Sequence, residues 1–443
     1  MSYSQRRRRP RHDGSPAAYA RDRRQRRAEA RVENGRAPTL AQVADHERLI
    51  ATYQNLKATG GAAPGVDGVR YSDLGRHEVA ANIRMLSFAV EHGLYRPALS
   101  RTLRIEKANG TGHRTLALRV ILDRVVSSSI NTALTPLWES IFLPSSYGFR
   151  PRRSHHQLLA DMLAAMTTEE RYVLAIDDVR NAFNNVPIPL AMDLHRQHLQ
   201  DTELLDLIER VLRGGEHQER AVGIAQGDPY SPTVLNVVLH DVHDLPFARD
   251  HRDPLIYRYA DNLVYLCTSV PDGQQALDQS RALLTHAGLA LKGEDGPPID
   301  LRDGGKVEIL GFTLRLEGGQ PRLGLGKRAW TGLGQDLLKA HESTNPPEAA
   351  RAIVRGWLDD RAPAFEGSTD TAVRRTRDHA ARLGFRELSS QEELRRLVTN
   401  ALGRWQASLR AAYQRVVNVH DQGLVDHVGA PPPTVLRGVR SRE

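Results

Sequence analysis

Two apolar runs, Leu255-Ile256-Tyr257-Arg258 and Leu263-Val264-Tyr265-Leu266-Cys267, are separated by Tyr259-Ala260-Asp261-Asn262. The pattern predicts strand, tight turn, strand, with a carboxylate at the tip. A third apolar run, residues 171–176, ends in Asp177 and Asp178. Each run puts an acid at a strand end, and neighbouring strands of one sheet would bring the two ends together. A strand-ending Asp is more often a turn former or a helix cap than a ligand. It is the pair that points to carboxylates sharing divalent cations.

At 443 residues the chain can bury a sizeable core and predicts two or three subdomains. The only cysteine, Cys267, lies inside an apolar strand, which excludes an intramolecular disulfide and a multi-cysteine zinc site. No apolar stretch has the length to span a bilayer, and Arg6-Arg7-Arg8-Arg9 has no apolar segment behind it. A soluble, cytoplasmic protein with no membrane partner is expected. Residues 1–36 hold twelve Arg against four acids, a net of +8 that equals the formal charge of the whole chain. This segment is read as a disordered basic arm able to neutralise phosphates, with a solubilising tail as the plainer reading.

Further on, Thr39 caps a helical pattern through Leu40, Val43, Leu49, Ile50 and Tyr53, ended by Gly60-Gly61. Ala63-Pro64-Gly65-Val66-Asp67-Gly68 is a turn. Leu122, Val126, Ile130, Leu134 and Trp138 recur every four residues and predict an amphipathic helix over 119–140. A helix over 154–166, a strand over 172–177, helices near 188–213 and 231–243, the hairpin over 255–267, a helix over 274–287 and a strand over 307–314 follow. This alternation is that of an α+β sheet with helices on one face. Beyond Lys327 the pattern is all helix, with segments near 328–342, 347–359, 369–384 and 390–417, before Pro431-Pro432-Pro433 and a basic tail.

Several ordered blocks surround the acids: Tyr147-Gly148-Phe149-Arg150-Pro151-Arg152-Arg153-Ser154, Asp178-Val179-Arg180-Asn181-Ala182-Phe183, Gln226-Gly227-Asp228-Pro229-Tyr230-Ser231-Pro232 and Leu310-Gly311-Phe312. With the hairpin and the turn at 63–68, they resemble the group II intron-like branch of the reverse transcriptases over roughly residues 45–360. The resemblance implies an α+β right-hand polymerase with fingers, a ferredoxin-like antiparallel palm sheet and a helical thumb. Its expected divisions are a basic arm over 1–36, an N-terminal extension and fingers over 37–170, a palm over 171–318, a thumb over 319–430 and a flexible basic tail over 431–443.

Roles follow residue by residue. Asp178, Asp261 and the backbone carbonyl of Val179 are expected to hold two Mg²⁺ ions, with Mn²⁺ as a substitute, and Asn262 completes the catalytic turn. Phe183 resembles the steric gate that selects deoxynucleotides; on its own it would read as a core aromatic. Gln226 and Gly227 would lie under the incoming nucleotide, and Lys107 and Arg114 would hold its triphosphate. Arg150, Arg152, Arg153 and Gly311 are expected at the nucleic acid. The implied partners are an RNA template, a DNA or RNA primer and dNTPs, in a free-standing enzyme of phage defence or mobile-element ancestry, its oligomeric state left open.

Two departures stand out. The family's turn is Tyr-Ala-Asp-Asp, and Asn262 here replaces the second Asp with a neutral amide, a weaker ligand for Mg²⁺. The family's Lys-Thr pair is absent after Leu289-Ala290-Leu291, leaving Lys292 or Lys306 as possible proton donors to the leaving group. A maturase-type RNA-binding protein without catalysis is therefore the rival reading. A nucleotide cyclase with the same sheet is disfavoured by the fingers blocks and by Gln226-Gly227. His240-Asp241-Val242-His243-Asp244 and His155-His156 are read as structural, and Asp123-Arg124 as an internal pair.

Overall fold

The computed structural model describes residues 37–106, 113–215, 220–250, 254–294, 296–365 and 368–423. The basic arm, the tail and Lys107 lie outside them. The N-terminal part comprises α1 (Leu40–Ala44), α2 (His46–Thr59) and α3 (Arg76–Glu91), an antiparallel ribbon of β1 (Arg101–Glu106) and β2 (His113–Leu118), then α4 (Ile121–Ile141) and α5 (His155–Glu169). The helix expected from Thr39 to Tyr53 is thus two. Asp45 leaves helical backbone and its carboxylate accepts from the Arg48 N–H at 2.9 Å, capping the second helix.

The palm follows as β3 (Val173–Asp178), α6 (Ala182–Asn185), α7 (Ile188–His198), α8 (Thr202–Arg213), α9 (Ser231–Leu239), α10 (Leu245–Asp250), β4 (Leu255–Tyr259), β5 (Asn262–Cys267), α11 (Val270–His286) and β6 (Ile299–Asp300). Its sheet is antiparallel, in the order β4-β5-β3-β6. That is the βαββαβ order of a ferredoxin-like unit. Along β3, Val173 and Ala175 enter one hydrophobic core and Leu174 another; along β5, Leu263, Tyr265 and Cys267 enter the first and Val264 and Leu266 the second. Side chains alternate between faces, so strands covered on both faces read as unbroken apolar runs. That is why these strands were legible and why each acid at their ends stands out.

A second sheet of β7 (Lys306–Ile309), β8 (Phe312–Glu317) and β9 (Gln320–Gly324) comes next. The single strand expected over 307–314 is a hairpin: Ile309 pairs with Phe312 across Leu310-Gly311, both at positive φ. The last four helices are α12 (Lys327–Ala340), α13 (Pro346–Arg361), α14 (Thr369–Arg382) and α15 (Gln391–Gly423). Leu333, Leu337, Val354, Leu358, Leu394 and Val398 give them a core of their own. The fold is the α+β right-hand polymerase arrangement of fingers, ferredoxin-like palm and helical thumb.

Candidate active site

The site begins at the hairpin turn. Tyr259 pairs with Asn262, leaving Ala260-Asp261 as a two-residue turn with Ala260 at φ 57°. An alanine in the left-handed region costs roughly 1–2 kcal/mol and persists where its surroundings impose it. Gly148 lies directly beneath, and a Cβ there would meet the Ala260 nitrogen at 2.2 Å. From β4, the buried Arg258 donates to the Ala260 carbonyl at 2.9 Å, to the Asn236 amide oxygen at 2.7 Å and to both oxygens of Asp244. Asn236 in turn donates to the Gly148 carbonyl at 2.8 Å.

Arg258, Asp244 and Asn236 are each 1% exposed. Burial drives the Asp244 carboxyl up, but the Arg258 guanidinium outweighs it and holds the group well below the usual carboxylate range. A π-helical turn over His240–Asp244 continues α9 and aims Asp244 at Arg258, while His243 contacts Asp244, Tyr265 and Ser280. The structural reading of this His-Asp segment holds.

The second acid arrives by register. Asp178 stands opposite Asn262, and the Val179 N–H donates to the Asp261 carbonyl at 2.9 Å. Asp178 and Asp261 therefore sit at the same end of hydrogen-bonded neighbouring strands. Directly paired residues share a face, so the Asn262 amide looks onto the side that Asp178 occupies. Asp261 is half-buried, and burial raises its carboxyl above the ordinary value. Two carboxylates, the Asn262 amide and the Val179 carbonyl offer oxygen donors alone, a set that fits Mg²⁺ or Mn²⁺ and not a soft metal.

Asp177, 3% exposed, plays a different part. Its carboxylate accepts from the Gly293 N–H at 3.0 and 3.1 Å, while the Lys292 N–H donates to the Asp178 carbonyl at 2.7 Å. The Lys292-Gly293 segment is thereby laid alongside the acids. Lys306 starts β7 in the other sheet.

Around the acids the structure gathers most of the expected residues. The Ile224 N–H donates to the Phe183 carbonyl at 2.8 Å, which draws the Gln226-Gly227 loop toward Phe183, and Phe149 meets the Phe183 ring edge-on at 6.2 Å. The Ala117 N–H donates to the Gln226 carbonyl at 2.9 Å, joining this loop to β2, on whose exposed end Arg114 lies. Asp228 forms a buried ion pair with Arg119 at 2.7 Å and accepts from the Ser127 hydroxyl.

Arg150 does not join the groove. It is 7% exposed, paired with Glu139 at 2.9 Å and donating to the Leu143 and Ser146 carbonyls, so its charge serves the interior. Arg152 is exposed, and Arg153 lies half-buried over the Tyr147 ring. The Asp123-Arg124 pair also resolves differently: Asp123 accepts from the Tyr95 hydroxyl and the Ala98 N–H, and Arg124 binds the Gly61 and Ala63 carbonyls. Arg124 thus anchors the turn at 63–68.

His155, His156 and Asp360 bring three donor atoms within 4.8 Å. The N-terminus of α5 and Arg361, 3.2 Å from the Asp360 carboxylate, put positive potential at that spot, and His156 donates to the Asp360 carbonyl at 2.7 Å. The cluster suits a hydrogen-bonded contact better than a cation.

Sequence reasoning missed Arg258, Asp244, Asn236 and Asp177. One signal was present, since an arginine inside an apolar strand needs a buried partner.

The family described as "Reverse transcriptase (RNA-dependent DNA polymerase)" matches residues 105–294. This chain carries a group II intron-like reverse transcriptase domain. Similar proteins include "Protein YkfC" of Escherichia coli (strain K12), 30% identical over 195 residues that cover 42% of this chain and 50% of that protein. "Group II intron-encoded protein LtrA" of Lactococcus lactis subsp. cremoris is 25% identical over 195 residues, 43% of this chain and 32% of that protein. The reverse transcriptase match thus spans half or less of these relatives. Among solved structures, a "Sicinivirus 3Dpol RNA dependent RNA polymerase" overlays with a TM-score of 0.47 at 12% identity, covering 78% of this chain and 73% of that one. Among the described residues of the reverse transcriptase chain, no helix is long and apolar enough to cross a membrane.

Proposed function

We propose that this reverse transcriptase domain is catalytic and extends a primer with deoxynucleotides on an RNA template. The observation that carries the reading is the register that sets Asp178 against Asn262 and ties Val179 to Asp261. Bound Mg²⁺ would lower the pKa of the primer 3′-hydroxyl and neutralise the triphosphate, the ions held by Asp178, Asp261 and the Val179 carbonyl. Phe183 would pack against the sugar and exclude a 2′-hydroxyl. The Gln226-Gly227 loop would support the base pair being formed. Arg114, with Lys107, would grip the triphosphate, and Arg152 and Arg153 would face template phosphates. The anchored backbone beside Asp178 favours Lys292 over Lys306 as the proton donor to pyrophosphate; its ammonium rests on Glu294 at 2.9 Å.

The neutral Asn262 favours a second reading, a maturase-type protein that binds RNA without synthesis. Primer extension on an RNA template, in Mg²⁺ and in Mn²⁺, separates the two. An enzyme loses synthesis on Asp178→Ala and gains rate on Asn262→Asp. A scaffold binds the RNA and makes no product in any form.

A further inference from the structure

The Leu310-Gly311 turn is the most strained short segment near the site outside the catalytic hairpin. Leu310 sits at φ 50° and Gly311 at φ 82°. A branched side chain in the left-handed region is held there by its surroundings. Those surroundings come from the thumb. Arg361, the last residue of α13, donates from Nη1 to the Leu310 carbonyl at 3.0 Å and lays its guanidinium 4.8 Å from the centre of the Phe312 ring. A Cβ at Gly311 would stand 2.6 Å from both terminal nitrogens of that guanidinium. Glycine is therefore required twice, by its φ and by Arg361.

Arg361 is itself fixed to the palm side. Its Nε lies 3.2 Å from the carboxylate of Asp360, whose carbonyl accepts from His156 at 2.7 Å and whose Oδ1 faces His155 at 3.0 Å. The rings of His155 and His156 border Phe312 at 6.2 and 6.1 Å, and His155 meets Tyr259 edge-on at 6.1 Å. Tyr259 immediately precedes the Ala260-Asp261 turn. A continuous set of contacts thus runs from the end of α13, through the Leu310-Gly311 turn, to the catalytic hairpin.

We infer that Arg361 is a positioning residue for the primer terminus, fixing the Leu310-Gly311 turn so that docking of the thumb and placement of the attacking 3′-hydroxyl are one event. This rests on the polymerase reading above. Arg361 touches neither substrate nor metal in this account; it acts through the turn. Lysine is a poor replacement, because one ammonium cannot lie flat on Phe312 while also donating to the Leu310 carbonyl.

The test uses the full chain with Arg361→Met and Arg361→Lys. Hydrogen exchange should speed up at residues 310–313 in both variants while residues 173–178 keep wild-type protection, which shows that the fold is intact. Single-turnover extension at saturating dNTP should slow by about ten-fold or more, with primer-template affinity changed by no more than about two-fold. Wild-type exchange and wild-type rate in Arg361→Met overturn the inference. Full rescue by Arg361→Lys overturns it as well, because charge alone would then suffice. A wild type that extends no primer sinks the polymerase reading and this inference with it, whereas a working wild type matched by both variants sinks only the inference.

Discussion

The catalytic hairpin β4-β5 and the fingers ribbon β1-β2 are built from the same unit, two antiparallel strands, in opposite surroundings. Beneath the hairpin lies the Arg258-Asp244-Asn236 network, closed to solvent and tied to both Ala260 and Gly148. In the ribbon, residues 101–104 and 113–115 are exposed, and Ala117 ties its base to Gln226. The difference matches what each would do in the proposed reaction. Carboxylates that share cations must be held to fractions of an ångström, whereas cations that close on a triphosphate and release pyrophosphate must move.

This contrast breaks most easily at the network. Replacing Asp244 with Asn leaves the Arg258 charge buried without its anion and should destabilise the protein by about 3–5 kcal/mol, measured by urea unfolding. The depressed carboxyl of Asp244 adds stability above the ordinary carboxylate range and loses it as pH falls through the folded value. The gap between wild type and Asp244→Asn should therefore be full at neutral pH and narrow in strong acid. A constant gap from neutral to strong acid would show that the pair does not hold the hairpin.

A smaller effect is expected at Asp177→Ala, which strips the acceptor from the Gly293 N–H. Stability should fall by about 1–3 kcal/mol, and hydrogen exchange at 292–294 should rise more than at 262–267. Uniform exchange across both segments would mean that Asp177 only supports the sheet. The smallest stability change belongs to the ribbon. Arg114→Ala should shift unfolding by no more than about 0.5 kcal/mol while raising the KM for dNTP. A large loss of stability there would erase the contrast between the two hairpins.

Much of this was legible because the palm strands are covered on both faces. Asp178 and Asp261 interrupt unbroken apolar runs, and the runs themselves fix the register. The β7-β8 turn was missed because Leu310 is an apolar residue at positive φ, held by Arg361 from fifty-one positions away. Charged side chains were the least readable. Arg150 sits within a motif expected at nucleic acid, yet Glu139 and two carbonyls claim it. The thumb arginines expected to line a duplex groove are largely engaged locally: Arg395 with Asp370, Arg377 with the Ser389 carbonyl, and Arg375 over Trp330. Which partner a cation takes depends on contacts between distant elements, and no periodicity records them.

The most direct test of the shared-cation site is a Mn²⁺ titration followed by electron paramagnetic resonance, on wild type and on Asp178→Ala and Asp261→Ala, each with primer-template and a non-hydrolysable dNTP. The account predicts two bound ions in wild type and loss of binding in both variants, with thermal unfolding confirming that they remain folded. Equal Mn²⁺ binding by all three folded proteins would contradict it.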